Sequence, residues 1–351
     1  MDRHGRPLSR DPAPSVSAVV LAYGDEPWLE ACVDAILASD GLRSVEVILV
    51  DNGCAESSIA PVVERPGVML LRPGRNLGFA GGCNLGAAHA GSEVIAFVNS
   101  DALVAPDALR ALAAVAVEPG VGIATASIRL ADSPDDLNSA GNEIHFLGVG
   151  WAGHLGEAAS GHREQRTVIA ASGAGMALAR STWKRLGGFE ERYFAYHEDA
   201  ELSLRCWQQG LPVVFVPEAV VFHHYEFSRN PDKLYLLERN RLAFLATTYE
   251  ARTLLVLAPV LVLFEAAVVA LAVAGGWGDR KVAGWRWLLR HRRWLRERRR
   301  HLQSVRTVGD RELLDLFSTR LTSSHLPLPR YFRHFDAALS AGFRSLVRMS
   351  K

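Results

Sequence analysis

The chain has 351 residues, with 39 Lys and Arg against 38 Asp and Glu, a formal charge of +1. That balance excludes a protein drawn to polyanions by net charge alone, and an apolar share of 49% excludes a wholly disordered chain. Four scattered cysteines, Cys32, Cys54, Cys83 and Cys206, show neither CxxC pairing nor zinc spacing, so a disulfide scaffold is excluded and a reducing cytosol is expected.

Residues 1–14 are polar, carry Pro7, Pro12 and Pro14, and lack the apolar core of a secretory signal, so a disordered lead is expected. The run Ser15 to Tyr23 reads as a first strand ending at Gly24-Asp25. Pro27 then suits the first turn of a helix carrying Trp28, Leu29, Cys32, Ile36 and Leu37 at helical spacing. Val45 to Val50 is a second strand, ending in Asp51-Asn52-Gly53. That tripeptide is a turn signal, and its carboxylate can also accept from a pyrimidine N3–H or a ribose hydroxyl. Val68 to Leu71 is a short third strand.

The stretch Arg75-Asn76-Leu77-Gly78-Phe79-Ala80-Gly81-Gly82-Cys83-Asn84-Leu85-Gly86 comes next, and a helix is expected after it. It is neither a Walker loop nor a clean dinucleotide fingerprint. Its glycines permit close backbone approach, either to a ligand or to a neighbouring element. Asn76 and Asn84 offer amides to a base or a diphosphate.

Val94 to Val98 is an unbroken apolar run leading into Asn99-Ser100-Asp101. A run this short reads as a strand buried on both faces of a parallel sheet, where ligands bind at the strand's carboxyl end. Asp101 therefore suits a hard divalent cation carrying phosphates, or the capping of a helix expected over residues 103–117. Residues 121–124 form a further strand. Residues 132–161 read as a long polar loop holding Trp151, with His145 and His154 in it and His162 just beyond, and each histidine is expected at the surface.

Ser172-Gly173-Ala174-Gly175 lies inside an apolar segment. An aromatic loop then passes into an amphipathic helix at Glu198-Asp199, acids that suit a helix N-terminus or a general base. Residues 213–217 are another strand, and a second apolar run, 220–222, ends in His223-His224, two potential metal ligands. The alternation of strand and helix with short connections predicts an α/β fold with a mostly parallel sheet.

Taken in order, Asp51-Asn52-Gly53, the Arg75 to Asn84 stretch, Asn99-Ser100-Asp101, Gly187-Gly188-Phe189, Glu198-Asp199 and His223 resemble the inverting family-2 glycosyltransferases, most of all their rhamnosyltransferase-like branch. The resemblance spans residues 15–245 and implies a GT-A (nucleotide-diphospho-sugar transferase) fold. It implies a nucleotide-sugar site around Ala22, Tyr23, Asp51, Asn52, Asn76, Gly78, Phe79, Gly82, Asn84, Asn99, Ser100 and Arg205. It makes Asp199 the catalytic base with Glu198 beside it, and puts Gly173, Ala174, Gly175 and Trp151 toward the acceptor. Asp101 and His223 would hold Mg²⁺ or Mn²⁺, with His224 the rival of His223. Two departures stand out: Asn99 occupies the place of a usual Asp, and Tyr23-Gly24 that of a usual Tyr-Asn. The implied donor is a nucleoside-diphosphate sugar, dTDP-rhamnose ahead of UDP- or GDP-sugars, and the implied acceptor is a lipid-linked or cell-envelope glycan. The alternatives are a sugar-phosphate nucleotidyltransferase, which would carry a basic Gly-rich loop after strand one, and a degenerate membrane scaffold, which would have lost Asp199.

Residues 254–274 are nearly all apolar, interrupted by Pro259 and Glu265. The length approaches the ~20 residues of a span, but a mid-membrane acid costs about 2.5–3.5 kcal/mol. Residues 280–301 interleave Trp285, Trp287 and Trp294 with many arginines, as an interfacial helix on an anionic leaflet does. Shallow insertion at the cytoplasmic face is expected rather than a span, with nucleic-acid binding disfavoured. The organisation expected is a lead of 1–14, a transferase domain of 15–245, a membrane-associated helical region of 246–320 and a tail of 321–351.

Overall fold

The computed structural model describes residues 13–225 and 232–321. The calls on the N-terminal lead and the C-terminal tail lie almost wholly outside the described residues. The first half of the chain runs β1 (Ser15–Gly24), α1 (Leu29–Leu37), β2 (Ser44–Cys54), α2 (Glu56–Ile59), β3 (Val68–Leu71), α3 (Gly78–His89), β4 (Val94–Asn99), β5 (Ala102–Val104) and α4 (Ala108–Ala116). It continues with β6 (Ile123–Leu130), β7 (Ser133–Ser139), β8 (Asn142–Ile144), β9 (Gly150–Ala152), β10 (Arg166–Val168), β11 (Gly175–Ala179), α5 (Arg180–Leu186), α6 (Glu198–Gln208) and β12 (Val213–His223).

The main sheet has the order β10-β12-β6-β11-β4-β1-β2-β3, with β5 on β12 and β7 on β6. Its β3-β2-β1-β4 portion is parallel throughout, and β12 lies parallel to β6. β11 enters antiparallel between β4 and β6 and joins the two portions into one sheet. Helices cover both faces: α1 and α4 close one apolar layer, and α3, α5 and α6 the other. β4 is buried from Val94 to Val98 because it is central and covered on both sides, which is why its sequence is apolar without alternation.

Several local expectations are corrected. Residues 102–104 are strand, not helix, because they pair antiparallel with Val221–His223. The glycine-rich stretch does not precede a helix: from Gly78 onward it is the helix, α3. A Cβ at Gly82 would meet Leu21 Cδ1 at 2.2 Å and one at Gly86 would meet Val19 Cγ1 at 2.4 Å, so these glycines seat α3 directly on β1. Residues 132–161 carry three short strands instead of an open loop. The two apolar runs before His223 form one strand, β12, with an irregularity between Val216 and Val220.

Beyond β12 come α7 (Lys233–Thr248), α8 (Ala251–Ala274), α9 (Gly278–Arg290), α10 (Arg292–Val305) and the short α11 (Asp310–Leu313). α8 has 24 residues and is long and apolar enough to cross a membrane by length and composition. It turns Leu257, Phe264, Val268 and Ala272 inward and leaves Leu255, Val256, Val262, Leu263 and Val273 exposed. Glu265 faces the protein, ion-paired to Arg241 and to Lys281 and accepting from Trp285 Nε1 at 2.8 Å.

The expected single basic helix is two, α9 and α10, and both pack on α7. Their tryptophans engage the protein: Trp287 lies under the Arg239 guanidinium at 4.4 Å and Trp294 under that of Arg192 at 5.4 Å. Arg298 and Arg299 also point inward, whereas Arg286, Arg290, Arg292, Arg293, Arg296 and Arg300 are exposed.

Candidate active site

The acid-tipped strands end side by side. Ala22 of β1 is in register with Asp51 of β2, and Leu21 of β1 with Asn99 of β4. Asp51 folds its carboxylate back on the turn, accepting from Gly53 N at 3.1 Å and Cys54 N at 2.9 Å, with Arg72 Nε at 3.7 Å. The turn reading of Asp51-Asn52-Gly53 therefore holds, and β2 extends through it. The Tyr23 ring is 55% exposed and lies above Gly53, where a Cβ would meet it at 3.7 Å. That leaves an aromatic face open at the strand ends.

Asn52 is buried and holds the start of α3: its Nδ2 donates to Asn76 Oδ1 at 2.8 Å, and its Oδ1 accepts from Leu77 N at 2.7 Å. Asn76 Oδ1 also accepts from Gly78 N at 2.7 Å. Both side chains thus shape the loop under the strand ends. Gly78 has φ +71°, and a Cβ there would meet Phe194 O at 2.4 Å, so the aromatic loop before α6 rests on this glycine.

After β4, Ser100 is buried and Asp101 turns back toward β12. Asp101 Oδ1 lies 3.1 Å from His223 Nε2, and Asn99 Nδ2 lies 3.4 Å from the same nitrogen. His223 Nδ1 meets Asn138 Oδ1 at 3.0 Å. An amide oxygen only accepts, so Nδ1 carries the proton and the Nε2 lone pair faces a carboxylate oxygen. Two acceptors aimed at one point fit a divalent cation, with water or phosphate oxygens completing its shell. His224 does not compete: its ring stacks on Trp28 at 3.5 Å and 7°. Consecutive strand residues face opposite sides, so only one of the pair reaches Asp101.

Glu198 and Asp199 open α6. Asp199 Oδ2 accepts from Gly173 N at 3.2 Å and Asn142 Nδ2 at 3.2 Å, and Oδ1 accepts from Ala200 N at 2.7 Å. Burial raises its pKa, against the pull of those hydrogen bonds, which makes it a stronger base than a solvated carboxylate. Glu198 is buried, its Oε2 has no hydrogen-bond partner, and burial followed by the Asp199 charge holds its pKa well above the carboxylate range. It stays protonated where Asp199 ionises.

The segment Ser172-Gly173-Ala174 joins the base to the other acids. Gly173 N reaches Asp199, and the next carbonyl, Ala174 O, accepts from Asn99 N at 3.3 Å. A Cβ at Gly173 would meet the Phe79 ring at 3.0 Å, so the glycine, Phe79 and the base share one wall. Gly175 instead sits within β11 and packs on Ala126 and Val221, away from any acceptor. Trp151 is half-buried on β9, opposite Glu143, and packs on the C-terminal helical layer.

Three expected ligand contacts are corrected. Arg205 lies seven positions into α6, is buried, and bonds Glu201, Leu186 O and Gly188 O, so it clamps the Gly187-Gly188 turn. Asn84 donates to Phe189 O at 2.9 Å and accepts from Phe189 N at 2.9 Å, which ties α3 to that turn. Gly82 approaches Leu21, not a ligand. Nor are the three histidines independent surface residues. His145 is fully buried, with a pKa lowered to about 3 by burial. His154 and His162 share Glu157 Oε2 at 3.2 and 3.0 Å. Arg166 Nη2 lies 3.4 Å from His162 Nδ1, which must then accept and leaves the Nε2 proton for Glu157.

Asn138, Asn142, Arg239 and Asn240 complete the site, and their sequence signal is slight: polar residues in stretches without a period. The loop before α6 is strained. Phe194, Tyr196 and His197 have φ of 67°, 68° and 70°, a cost of about 1–3 kcal/mol each for non-glycine residues. Tyr193 to Ala195 is a γ-turn, with Ala195 N on Tyr193 O at 2.8 Å and Phe194 at φ 67°, ψ −65°.

Residues 12–245 match the family model described as glycosyltransferase like family 2. The chain is 30% identical over 239 residues to the N-acetylglucosaminyl-diphospho-decaprenol L-rhamnosyltransferase of Mycobacterium tuberculosis (strain CDC 1551 / Oshkosh), covering 61% of this chain and 77% of that protein. It is also 30% identical over 235 residues to the O-antigen biosynthesis protein RfbC of Myxococcus xanthus, covering 63% of this chain but only 18% of that longer protein. The fold is similar to that of GalNAc-T7, solved with UDP, GalNAc and Mn²⁺, with a TM-score of 0.56 at 16% identity over 69% of this chain and 49% of that one.

Proposed function

The chain belongs to glycosyltransferase family 2, and from that premise we propose that it is an inverting enzyme. It would move a deoxyhexose, rhamnose first, from a nucleoside diphosphate to a lipid-linked or cell-envelope glycan. The reading rests on one observation: Ser172-Gly173-Ala174 carries a hydrogen bond to Asp199 at one residue and to Asn99 at the next. Base and diphosphate side are thereby held on one wall.

In this reading Asp51, Ala22 and the open Tyr23 ring meet the nucleoside at the strand ends. Asp199 takes the proton from the acceptor hydroxyl as that oxygen attacks the anomeric carbon. The diphosphate leaves from the opposite face, so configuration inverts. Gly173 N–H and Asn142 fix the carboxylate's direction, and the protonated Glu198 adds no second charge beside it. Asp101 and His223 would hold Mg²⁺ or Mn²⁺, with Asn99 beside them. A bound cation there supplies positive charge to the leaving diphosphate. Rhamnose and a polyprenyl-linked acceptor are favoured by the likeness to the mycobacterial rhamnosyltransferase. The exposed face of α8 beside the exposed arginines of α9 and α10 favours residence at the cytoplasmic surface of an anionic membrane.

The test is transfer from dTDP-rhamnose, UDP- and GDP-sugars to polyprenyl-diphosphate-linked saccharides in anionic vesicles, with the product anomer determined. An inverted product from one donor supports the reading. No transfer from any of the panel, or retained configuration, contradicts it.

A further inference from the structure

The loop that ends at the base is strained at three residues and is held by helix α7. Asn240 of α7 is 1% exposed, and its single Nδ2 donates to Tyr193 O at 2.9 Å, Ala195 O at 2.8 Å and Tyr196 O at 2.7 Å. Arg239 adds Nη2 contacts to Arg192 O at 3.0 Å and Tyr193 O at 2.6 Å. Its Nε donates to Asn240 Oδ1 at 2.9 Å, which orients the amide so that Nδ2 faces the loop.

The next residue along α7 reaches the same loop by another route. Arg241 Nη1 donates to Leu147 O at 3.3 Å, and the adjoining Gly148 O accepts from His197 Nε2 at 2.8 Å. From the opposite side, Ala80 N of α3 donates to Phe194 O at 3.1 Å. A γ-turn and two further left-handed residues persist only where their surroundings over-determine them. Here that surrounding is α7.

We propose that Asn240, oriented by Arg239, is a positioning residue for sugar transfer: it holds the 193–197 loop in the strained form that aims Asp199 at the acceptor hydroxyl. The proposal rests on the functional reading above, in which Asp199 is the base. α7 is a fixed reference because Glu238 and Arg241 ion-pair to α8 and α9 through Glu265 and Lys281. The nucleotide side, on β1, β2 and β4, does not touch Asn240 through any of these bonds. A loosened loop therefore slows the chemical step and leaves donor binding alone.

The test compares wild type, Asp199→Asn and Asn240→Ser in the full chain, with Arg239→Gln as a second variant should Asn240→Ser not fold. Each is assayed for kcat, donor KM and nucleoside-diphosphate affinity. The expected result is a fall in kcat of tenfold or more in Asn240→Ser, with donor KM and nucleotide affinity within twofold of wild type. If wild type transfers sugar, Asp199→Asn does not, and the folded α7 variant keeps kcat within twofold or loses donor binding instead, the proposal alone is overturned. If wild type transfers nothing, or Asp199→Asn transfers normally, the functional reading falls and the proposal with it.

Discussion

His223 Nε2 stands 3.1 Å from Asp101 Oδ1, while the other ring nitrogen is tied to Asn138. A lone pair and a carboxylate oxygen meet where a cation would satisfy both. Thermal unfolding should therefore shift upward with a nucleoside diphosphate plus Mn²⁺, by about 2.7 kcal/mol at a ligand concentration a hundredfold above Kd. In Asp101→Asn the Mn²⁺-dependent part of that shift should disappear. Scanning fluorimetry with and without the metal reads the difference, and an undiminished shift in the variant would remove Asp101 from the metal site.

Glu198 carries a stability prediction with a definite sign. Its folded pKa is raised well above the usual 4.5 by burial and by Asp199. Below pH 4.5 both folded and unfolded chains hold the proton, and the contribution is fully present. Above it the unfolded chain ionises first, so stability falls as pH rises toward the folded pKa. Glu198→Gln should flatten that fall. Urea denaturation at a series of pH values checks it, and identical pH slopes for the two proteins would count against a buried neutral acid.

The seat of α3 on β1 depends on having no side chain at Gly86. A Cβ there would meet Val19 Cγ1 at 2.4 Å and Val50 Cγ2 at 3.2 Å, both on stiff β-branched residues. Overpacking costs about 1–3 kcal/mol, and alanine's better helix propensity returns about 1. Gly86→Ala should be destabilising on balance, as a lowered denaturation midpoint. A raised midpoint would show that the contact relaxes freely.

The two faces of α8 should respond differently. Glu265 is ion-paired with Arg241 and Lys281, whose side chains are each 2% exposed. Glu265→Leu should cost about 3 kcal/mol, because both cations lose a buried partner. Leu255 is 76% exposed, and Leu255→Glu should leave stability within about 0.5 kcal/mol. The same Leu255→Glu change should weaken sedimentation with anionic vesicles, and unaltered binding would take this face out of any membrane contact.

Much of this site could be read before the fold was known, because its acids sit at strand ends and strands show as short apolar runs. Asp51, Asp101 and the start of α6 at Glu198 were legible for that reason. Ala102-Leu103-Val104 was not: three apolar residues carry no period, and only pairing with Val221–His223 makes them strand. Arg205 was misjudged by nearness along the chain. Six residues past Asp199, it has turned about 240° around the helix, away from the base's face. Asn142 and Asn240 stayed hidden because their partners lie 57 and 44–47 residues away, joined only by tertiary structure.

The most direct measurement is the transfer rate of Asp199→Asn under conditions where wild type turns over. Replacing the charged base with its neutral isostere should lower kcat by about 10²–10⁴-fold, with nucleoside-diphosphate affinity and unfolding midpoint at or above those of wild type. Transfer by Asp199→Asn at the wild-type rate would contradict the assignment of the base and the reaction built on it.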